Sequence, residues 1–206
     1  MATLKELSKV PERFVGGHRL CAGCGHGIAT RMVLNAVDSD VVVTCATGCL
    51  EVASTIYPYT AWNCSFIHNA FENAAATCSG IEAAYRSLKR QGKLDKDIKF
   101  VAFGGDGGTY DIGFQSLSGA MERGHKMVYV CLDNEAYMNT GIQRSSATPI
   151  GADTTTTPAG KVSTGKVQPR KDLTAVMAAH NIPYVAQTAI NNWQDVHRKS
   201  KKAFDA

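Results

Sequence analysis

The sequence predicts an α/β fold in which helices cover both faces of a parallel sheet. Apolar runs as long as a strand alternate with longer segments whose apolar residues recur at helical spacing. Polar, glycine-rich loops directly follow the apolar runs, as expected where buried parallel strands end at a shared edge. With 206 residues, the chain is long enough for one domain with a full core.

The first predicted elements are two helices on either side of a short strand. Residues 28–37 place Ile28 and Met32 at helical spacing, so they predict a helix. Residues 41–44, a run of Val and Thr, predict the first strand. Residues 67–90 are rich in alanine and predict one long helix.

The second half of the chain continues the alternation of strand and helix. Strands are predicted at 100–103, 127–132 and 184–188, and helices at 112–123, at 172–180 and from 191 to the end. Residues 140–168 are rich in Thr, Ser, Gly and Pro, which favours an ordered functional loop over a core element. Alternating strands and helices imply a parallel sheet, because each crossover helix returns the chain to the same end of the sheet.

Composition excludes several classes of protein. The net charge of +4 is too small to indicate binding to nucleic acid or to a membrane surface. No apolar run approaches the roughly 20 residues that a membrane-spanning helix needs. Residues 1–10 lack the apolar core of a secretory signal. We therefore expect a cytoplasmic protein with neither a nucleic-acid nor a membrane partner.

Seven cysteines are many for a reducing compartment, where disulfides are rare. The odd count, and the pair Cys21 and Cys24 in a glycine-rich turn, favour a metal or cluster site. An iron–sulfur cluster fits best because such sites often gather dispersed cysteines; zinc and purely structural thiols are the alternatives. We interpret Cys64, Cys78 and Cys131 as packing residues.

Two polar loops that follow strands carry oxygen ligands. One is 104–108, with Asp106 at its centre, and the other begins with Asp133 and Asn134. Mg²⁺ binds carboxylate, amide and carbonyl oxygens and commonly bridges to phosphates, while glycines let the main chain approach a diphosphate. Gly-Asp-Gly followed about thirty residues later by Asn resembles the thiamine-diphosphate fingerprint, with a pair of ordinary turns as the alternative.

Taken end to end, the chain resembles the 2-oxoacid:ferredoxin oxidoreductase family. The segments that carry the resemblance are 17–25, 46–52, 57–62, 67–73, 104–113 and 133–143. The resemblance implies a single thiamine-diphosphate-binding α/β domain over 1–206, with an N-terminal iron–sulfur cysteine loop. It also implies that a C-terminal segment of a longer subunit follows Ala206.

The resemblance also assigns roles to the cysteines. Cys21, Cys24 and Cys49 would be ligands of a [4Fe-4S] cluster. The fourth ligand would come from beyond the end of this chain, with Cys45 as the alternative.

Around thiamine diphosphate, the resemblance implies a second set of contacts. The Mg²⁺ ligands would be the carboxylate of Asp106, the amide oxygen of Asn134 and the main-chain carbonyl of Ala136. The other positions that match cofactor contacts are Gly48, Cys49, His68, Gly105, Gly107 and Asn139. Asn139 is also the catalytic candidate, because the family places this position beside the thiazole ring and the substrate carboxylate. His26 stands where single-chain relatives carry a glutamate near the cofactor.

The implied function is that of the cofactor-binding beta subunit in the pyruvate branch of the family. With an alpha subunit and ferredoxin-like subunits, it would convert pyruvate and coenzyme A to acetyl-CoA and carbon dioxide, reversibly, and pass electrons to ferredoxin. The alternatives are the same chemistry on a branched-chain 2-oxoacid, 2-oxoglutarate or oxalate, a non-redox thiamine enzyme, and a zinc-bound interaction module.

Overall fold

Four parallel strands form the central sheet of the computed structural model, which describes residues 3–206. The strands are β1 (Asp40–Ala46), β2 (Ser65–Asn69), β3 (Ile98–Gly105) and β4 (Val128–Leu132). Their order is β2-β1-β3-β4, so β1 and β3 are central. Val43 of β1 pairs with Val101 of β3 and both are fully buried, because strands covered on both faces must be apolar along most of their length.

Helices and one short antiparallel pair complete the described fold. The helices are α1 (Leu4–Leu7), α2 (Gly25–Leu34), α3 (Cys49–Ser54), α4 (Ala74–Arg90), a π-helix (Gly107–Ile112), α5 (Phe114–Glu122), α6 (Leu173–Ala178) and α7 (Trp193–Asp205). The antiparallel pair consists of β5 (Ala136–Tyr137) and β6 (Gln143–Arg144).

Alternate strand residues divide the core between the two faces of the sheet. On one face, Val43 and Phe103 join a buried cluster that includes Phe204 of α7. On the other face, Phe100 and Ala102 lie in a cluster with residues of α4. Since helices pack on both faces of a parallel sheet, the predicted α/β class is confirmed.

Two predicted elements are wrong in type or extent. The helix predicted over 67–90 begins only at Ala74, because residues 65–69 pair with β1 as the edge strand β2. Residues 184–188, predicted as a strand, form none. Val185 there packs against the apolar cluster of α5 and α6, so the segment buries its apolar side chain without joining the sheet.

Helices α2, α5, α6 and α7 overlap their predicted positions, but the turns around the sheet edge differ. Residues 107–112 wind as a π-helix before α5 begins at Phe114. The short helix α3 and the β5–β6 pair were not predicted, because elements of so few residues carry little periodic signal. Apart from β6 and isolated bridges, residues 140–168 hold no helix or strand, in agreement with the predicted loop.

Candidate cofactor site at the carboxyl edge of the sheet

Three loops meet at the edge where the parallel strands end. They follow β1, β3 and β4, which are neighbours in the sheet. From β1 the chain passes to β2 on one side, then returns to β3 on the other side of β1. Ligands of open α/β sheets bind at such a reversal of strand order, so the crevice between the β1 and β3 loops is the expected site.

The loop after β1 is held against the neighbouring strand. Thr47 donates hydrogen bonds from its backbone N and from Oγ1 to the carbonyl oxygen of Asn69, each at 2.9 Å. Gly48 and Cys49 follow, and Cys49 opens α3. This places the Cys49 thiol at the sheet edge, on a fixed turn.

The loop after β3 brings a buried carboxylate to the same edge. Asp106 is 1% exposed and immediately precedes the π-helix. At Gly107, an added Cβ would lie 2.2 Å from a ring carbon of Tyr137, so only glycine fits under that ring. At Gly105, an added Cβ would meet no atom within 4 Å. Gly105 therefore leaves its main chain open to the cleft, as close approach to a diphosphate requires.

The Asn134 amide turns one atom toward the other two predicted magnesium ligands. That atom, placed as Oδ1, lies 3.0 Å from Asp106 Oδ1 and 2.8 Å from the Ala136 carbonyl oxygen. Turning the amide over would put Nδ2 there and make both contacts hydrogen bonds. With oxygen inward, the spacing matches the roughly 3 Å between adjacent ligands of an octahedral Mg²⁺ ion. One carboxylate, one amide and one carbonyl oxygen, with phosphates supplying further ligands, fit that ion.

The pKa of the Asp106 carboxyl is raised to about 6, first of all by burial. The nearby charge of Asp133 acts in the same direction, while a hydrogen bond from Ser145 favours the ionised form. Without a cation the buried charge is therefore poorly compensated. A divalent ion at the facing oxygens would supply the missing positive charge.

The cleft at this edge includes nearly all the predicted cofactor contacts. Its lining residues are His26, Thr47, Gly48, Cys49, Phe71, Gly105, Asp106, Gly107, Gly108, Asn134, Ala136, Tyr137, Met138, Asn139 and Thr140. His68 is not among them. It lies on the edge strand β2, half exposed, with Nδ1 2.8 Å from Glu51 Oε1. A contact between His68 and the cofactor stays a prediction.

The predicted cluster ligands lie near one another without being gathered into a metal site. Burial raises the pKa of the Cys49 thiol, and the nearby Cys24 and Cys21 thiols raise it further. Cys21 is exposed and Cys24 immediately precedes α2. Within residues 3–206, no three His, Cys, Asp or Glu side chains are placed to hold a metal ion. The cluster role of these cysteines is therefore still a prediction.

The other thiols behave as packing residues. Cys45 and Cys78 are buried in the core, and burial raises the pKa of both, that of Cys78 to about 12. Burial likewise raises the pKa of Cys131, and it raises that of Cys64 to about 11. Such thiols are protonated and unreactive at neutral pH.

His26 lines the cleft with neither ring nitrogen hydrogen-bonded to the described part of the protein. The side chain lies in the first turn of α2, and burial lowers its pKa. A buried polar group without a partner is costly, so His26 is suited to contact a ligand in the cleft.

Side chains of residues 143–171 form hydrogen bonds to the residues that follow β3 and β4. Arg170 Nη2 donates to Asp133 Oδ2 at 2.6 Å, and Arg170 Nη1 donates to the carbonyl oxygen of Ala147 at 2.8 Å. Lys171 Nζ donates to the carbonyl oxygen of Tyr110 in the π-helix. Sequence reasoning identified most of this segment as a functional loop but singled out none of these residues, because their partners are distant in the sequence.

The fold and cleft together define an α/β domain that fits a diphosphate and its metal ion. The chain belongs to the thiamine pyrophosphate enzyme family: residues 43–206 match its C-terminal TPP binding domain.

Comparison with individual relatives points to a narrower group of proteins within this family. The chain is 60% identical to pyruvate synthase subunit PorB of Methanocaldococcus jannaschii, over 93% of this chain and 65% of the relative. It is 53% identical to pyruvate synthase subunit PorB of Thermotoga maritima, over 98% of this chain and 64% of the relative. The chain thus spans less than two thirds of the length of these curated relatives. They bear out the resemblance drawn from the sequence.

A solved structure shows the same fold. A 2-oxoglutarate:ferredoxin oxidoreductase from Magnetococcus marinus, with 2-oxoglutarate, coenzyme A and succinyl-CoA bound, superposes with a TM-score of 0.76 at 23% identity. The match covers 94% of this chain and 62% of that chain. Within residues 3–206, none of the helices has the length and apolar character needed to cross a membrane.

Proposed function

We propose that this chain is the thiamine-diphosphate-binding beta subunit of a pyruvate:ferredoxin oxidoreductase. The enzyme converts pyruvate and coenzyme A to acetyl-CoA and carbon dioxide, reversibly, and passes the electrons to ferredoxin. The observation that carries the proposal is the convergence of Asp106 Oδ1, the Asn134 amide and the Ala136 carbonyl oxygen at the sheet edge. The identity to two pyruvate synthase subunits supports the choice of substrate.

The site residues have distinct tasks in this proposal. Asp106, Asn134 and Ala136 would hold Mg²⁺, which would offset the negative charge of the diphosphate. Backbone N–H groups of Gly105 and Gly107 would donate to the phosphate oxygens, and at Gly105 the main chain is free of neighbouring side chains. When bound, thiamine diphosphate supplies the carbanion and electron sink needed to break the bond between the carboxylate and the 2-oxo carbon.

Asn139 and two histidines would act nearer the substrate. Asn139 lines the cleft and carries an amide able to donate to the substrate carboxylate. His26, whose nitrogens have no partner within the described chain, faces the same cleft and would contact the cofactor. His68, held by Glu51 at the rim, would contact it from the edge strand.

Electron transfer requires a second group beside the cofactor. We propose that Cys21, Cys24 and Cys49 hold a [4Fe-4S] cluster, with the fourth ligand supplied from outside this chain. The support is that Cys49 lines the cofactor cleft and that Cys21 and Cys24 lie close enough to affect its pKa. A cluster held there would be adjacent to the reacting centre and would accept electrons one at a time.

The proposed enzyme needs further chains. An alpha subunit would supply the glutamate that activates the cofactor, because no glutamate lines the cleft among the described residues. Ferredoxin-like subunits would carry electrons onward to ferredoxin. The expected location is the cytoplasm.

The test is an anaerobic purification of the full-length chain with its co-purifying chains. Thiamine diphosphate, magnesium, iron and acid-labile sulfide are measured, and viologen-dye reduction is followed with pyruvate and coenzyme A. We expect all four components and pyruvate-dependent reduction. Stoichiometric zinc without iron would contradict the proposed cluster, and the absence of thiamine diphosphate would contradict the proposed enzyme activity. A preference for a branched-chain 2-oxoacid, 2-oxoglutarate or oxalate would reassign the substrate and keep the chemistry.

A further inference from the structure

We propose that Ser145 is a positioning residue for the magnesium site. Its hydroxyl holds one oxygen of the Asp106 carboxylate, so that the other oxygen faces Asn134 and Ala136 as a single-oxygen ligand. This inference rests on the proposed function, because it concerns the same metal ion.

The two carboxylate oxygens of Asp106 have different surroundings. Oδ2 accepts a hydrogen bond from Ser145 Oγ at 2.5 Å. Oδ1 lies 3.0 Å from the inward atom of the Asn134 amide. Asp106 is 1% exposed and Ser145 is fully buried, so water does not compete for either group. One protein hydroxyl therefore holds the Oδ2 side of the carboxylate, and backbone groups of Asp106 and Asn134 also interact with the carboxylate.

The proton of the Ser145 hydroxyl has one close acceptor, because the other candidate, Thr148 Oγ1, lies 3.4 Å away. Ser145 Oγ already accepts a hydrogen bond from the backbone N of Ala147 at 3.0 Å. The neighbouring Thr148 donates its own hydroxyl proton to the carbonyl oxygen of Glu135, and its Oγ1 accepts from the backbone N of Ser145 at 2.9 Å. An anionic carboxylate at 2.5 Å is the strongest acceptor left for the Ser145 proton.

A buried lysine fixes the turn that carries this hydroxyl. Lys166, 1% exposed, donates from Nζ to the carbonyl oxygen of Thr148 at 2.5 Å. Its backbone also pairs with Gly151 and Ala152. Because Thr148 contacts Glu135, which lies between two predicted ligands, the same turn sets the position of both site loops.

Fixing the carboxylate matters for this particular ion. Mg²⁺ demands near-ideal octahedral geometry. A carboxylate free to rotate would offer both oxygens to the ion or turn away from it. Groups that orient a metal ligand typically change affinity by about 10- to 100-fold when removed.

Ser146 provides a matched control. It is the next residue, part-buried where Ser145 is fully buried, and it donates from its backbone N and its Oγ to the carboxylate of Asp111. Asp111 does not line the cleft. Ser146→Ala thus removes the same atom, and the same type of hydrogen bond, from the same turn without touching the proposed ligand.

The experiment measures metal binding rather than turnover. Full-length protein with its co-purifying chains is stripped of metal and titrated with Mg²⁺ at saturating thiamine diphosphate, with intrinsic fluorescence as the signal. Mn²⁺ binding is followed in parallel by electron paramagnetic resonance. We expect Ser145→Ala to need about tenfold more of either ion for half-saturation, and Ser146→Ala to stay within about twofold of the unmodified protein. Ser145→Cys, which keeps a weak donor, should fall between them.

The outcomes separate this inference from the proposed function. If the unmodified protein binds no thiamine diphosphate with Mg²⁺ or Mn²⁺, the proposed function is overturned and the inference with it. If the unmodified protein binds and Ser145→Ala matches Ser146→Ala, the inference alone is overturned. Should Ser145→Ala fail to fold, Ser145→Cys carries the comparison, and an unchanged ion requirement in that variant overturns the inference.

Discussion

At the scale of single residues, two glycines on either side of the π-helix, Gly105 and Gly113, differ in what surrounds them. A methyl group at Gly105 would enter empty space beside the cleft. A methyl group at Gly113 would lie 2.2 Å from the carbonyl oxygen of Gly108, which is main chain and cannot move aside freely. One glycine thus leaves space for a ligand, and the other permits the turn from the π-helix to α5.

These surroundings predict different effects when each glycine is replaced by alanine. Gly105→Ala should fold with an unchanged thermal midpoint but bind thiamine diphosphate roughly tenfold more weakly, because overpacking costs about 1–3 kcal/mol. Gly113→Ala should lower the free energy of unfolding by about 1–3 kcal/mol. Thermal unfolding without cofactor and a cofactor titration separate the two. Normal binding by Gly105→Ala would place the diphosphate elsewhere.

The proposed metal ligands should contribute unequally. Asp106→Ala removes the charged ligand and should abolish thiamine diphosphate binding in the presence of Mg²⁺, whereas Asn134→Ala removes a neutral ligand and should weaken it less. Titration calorimetry on the assembled protein measures both. Asp97→Ala, an exposed carboxylate just before β3, is the control and should bind normally. Unchanged affinity in the Asp106 variant would rule out this metal site.

At the scale of elements, α4 is tied to the turn before β4 through one buried carboxylate. Glu82 is 1% exposed and sits on α4. Its Oε2 lies 2.8 Å from His125 Nδ1, and its Oε1 lies 2.9 Å from Arg86 Nε. Glu82 accepts hydrogen bonds from both partners at once. It therefore connects α4, the helix between β2 and β3, to the loop between α5 and β4.

Removing the Glu82 carboxylate should destabilise the fold without changing any residue that lines the cleft. We expect Glu82→Ala to lower the free energy of unfolding by about 2 kcal/mol, because it leaves the largely buried His125 ring nitrogen without its partner. Chemical denaturation measures the change, and Glu122→Ala, exposed on the neighbouring α5, should change stability by less than about 0.5 kcal/mol. Equal stability of the two variants would contradict the structural role.

The limits of sequence reasoning are visible at the same scale. β3 was predicted because its residues are continuously apolar, and the loop after it because glycine and aspartate follow directly. β2 was missed because an edge strand is largely exposed, so Ser65–Asn69 lacks the alternation that marks a half-buried strand. Ser145 was missed because its contact with Asp106 spans 39 residues and no local pattern encodes it.

At the scale of the whole molecule, several large apolar side chains remain exposed. Tyr57 is 94% and Tyr59 is 73% exposed, in the turn between α3 and β2. Ile142, 48% exposed, follows the loop that contributes Asn139. Exposed apolar groups of this size are typical of surfaces that another chain covers.

This surface predicts that pyruvate oxidation needs a second chain. Separately purified beta and alpha subunits, mixed with pyruvate and coenzyme A, should reduce a viologen dye, and either subunit alone should not. Tyr57→Ser with Tyr59→Ser should weaken the association while leaving the thermal midpoint of the free subunit unchanged. Full activity from this chain alone would contradict the prediction.

The ligands of the proposed metal come from loops after different strands, Asp106 from β3 and Asn134 from β4. β4 is one of the two edge strands, bonded in this sheet to β3 alone. An ion held between the two loops would therefore fasten an edge strand to the centre of the sheet. Cofactor binding would then slow backbone hydrogen exchange across β4. At a hundredfold excess over Kd, it would add about 2.7 kcal/mol to the free energy of unfolding.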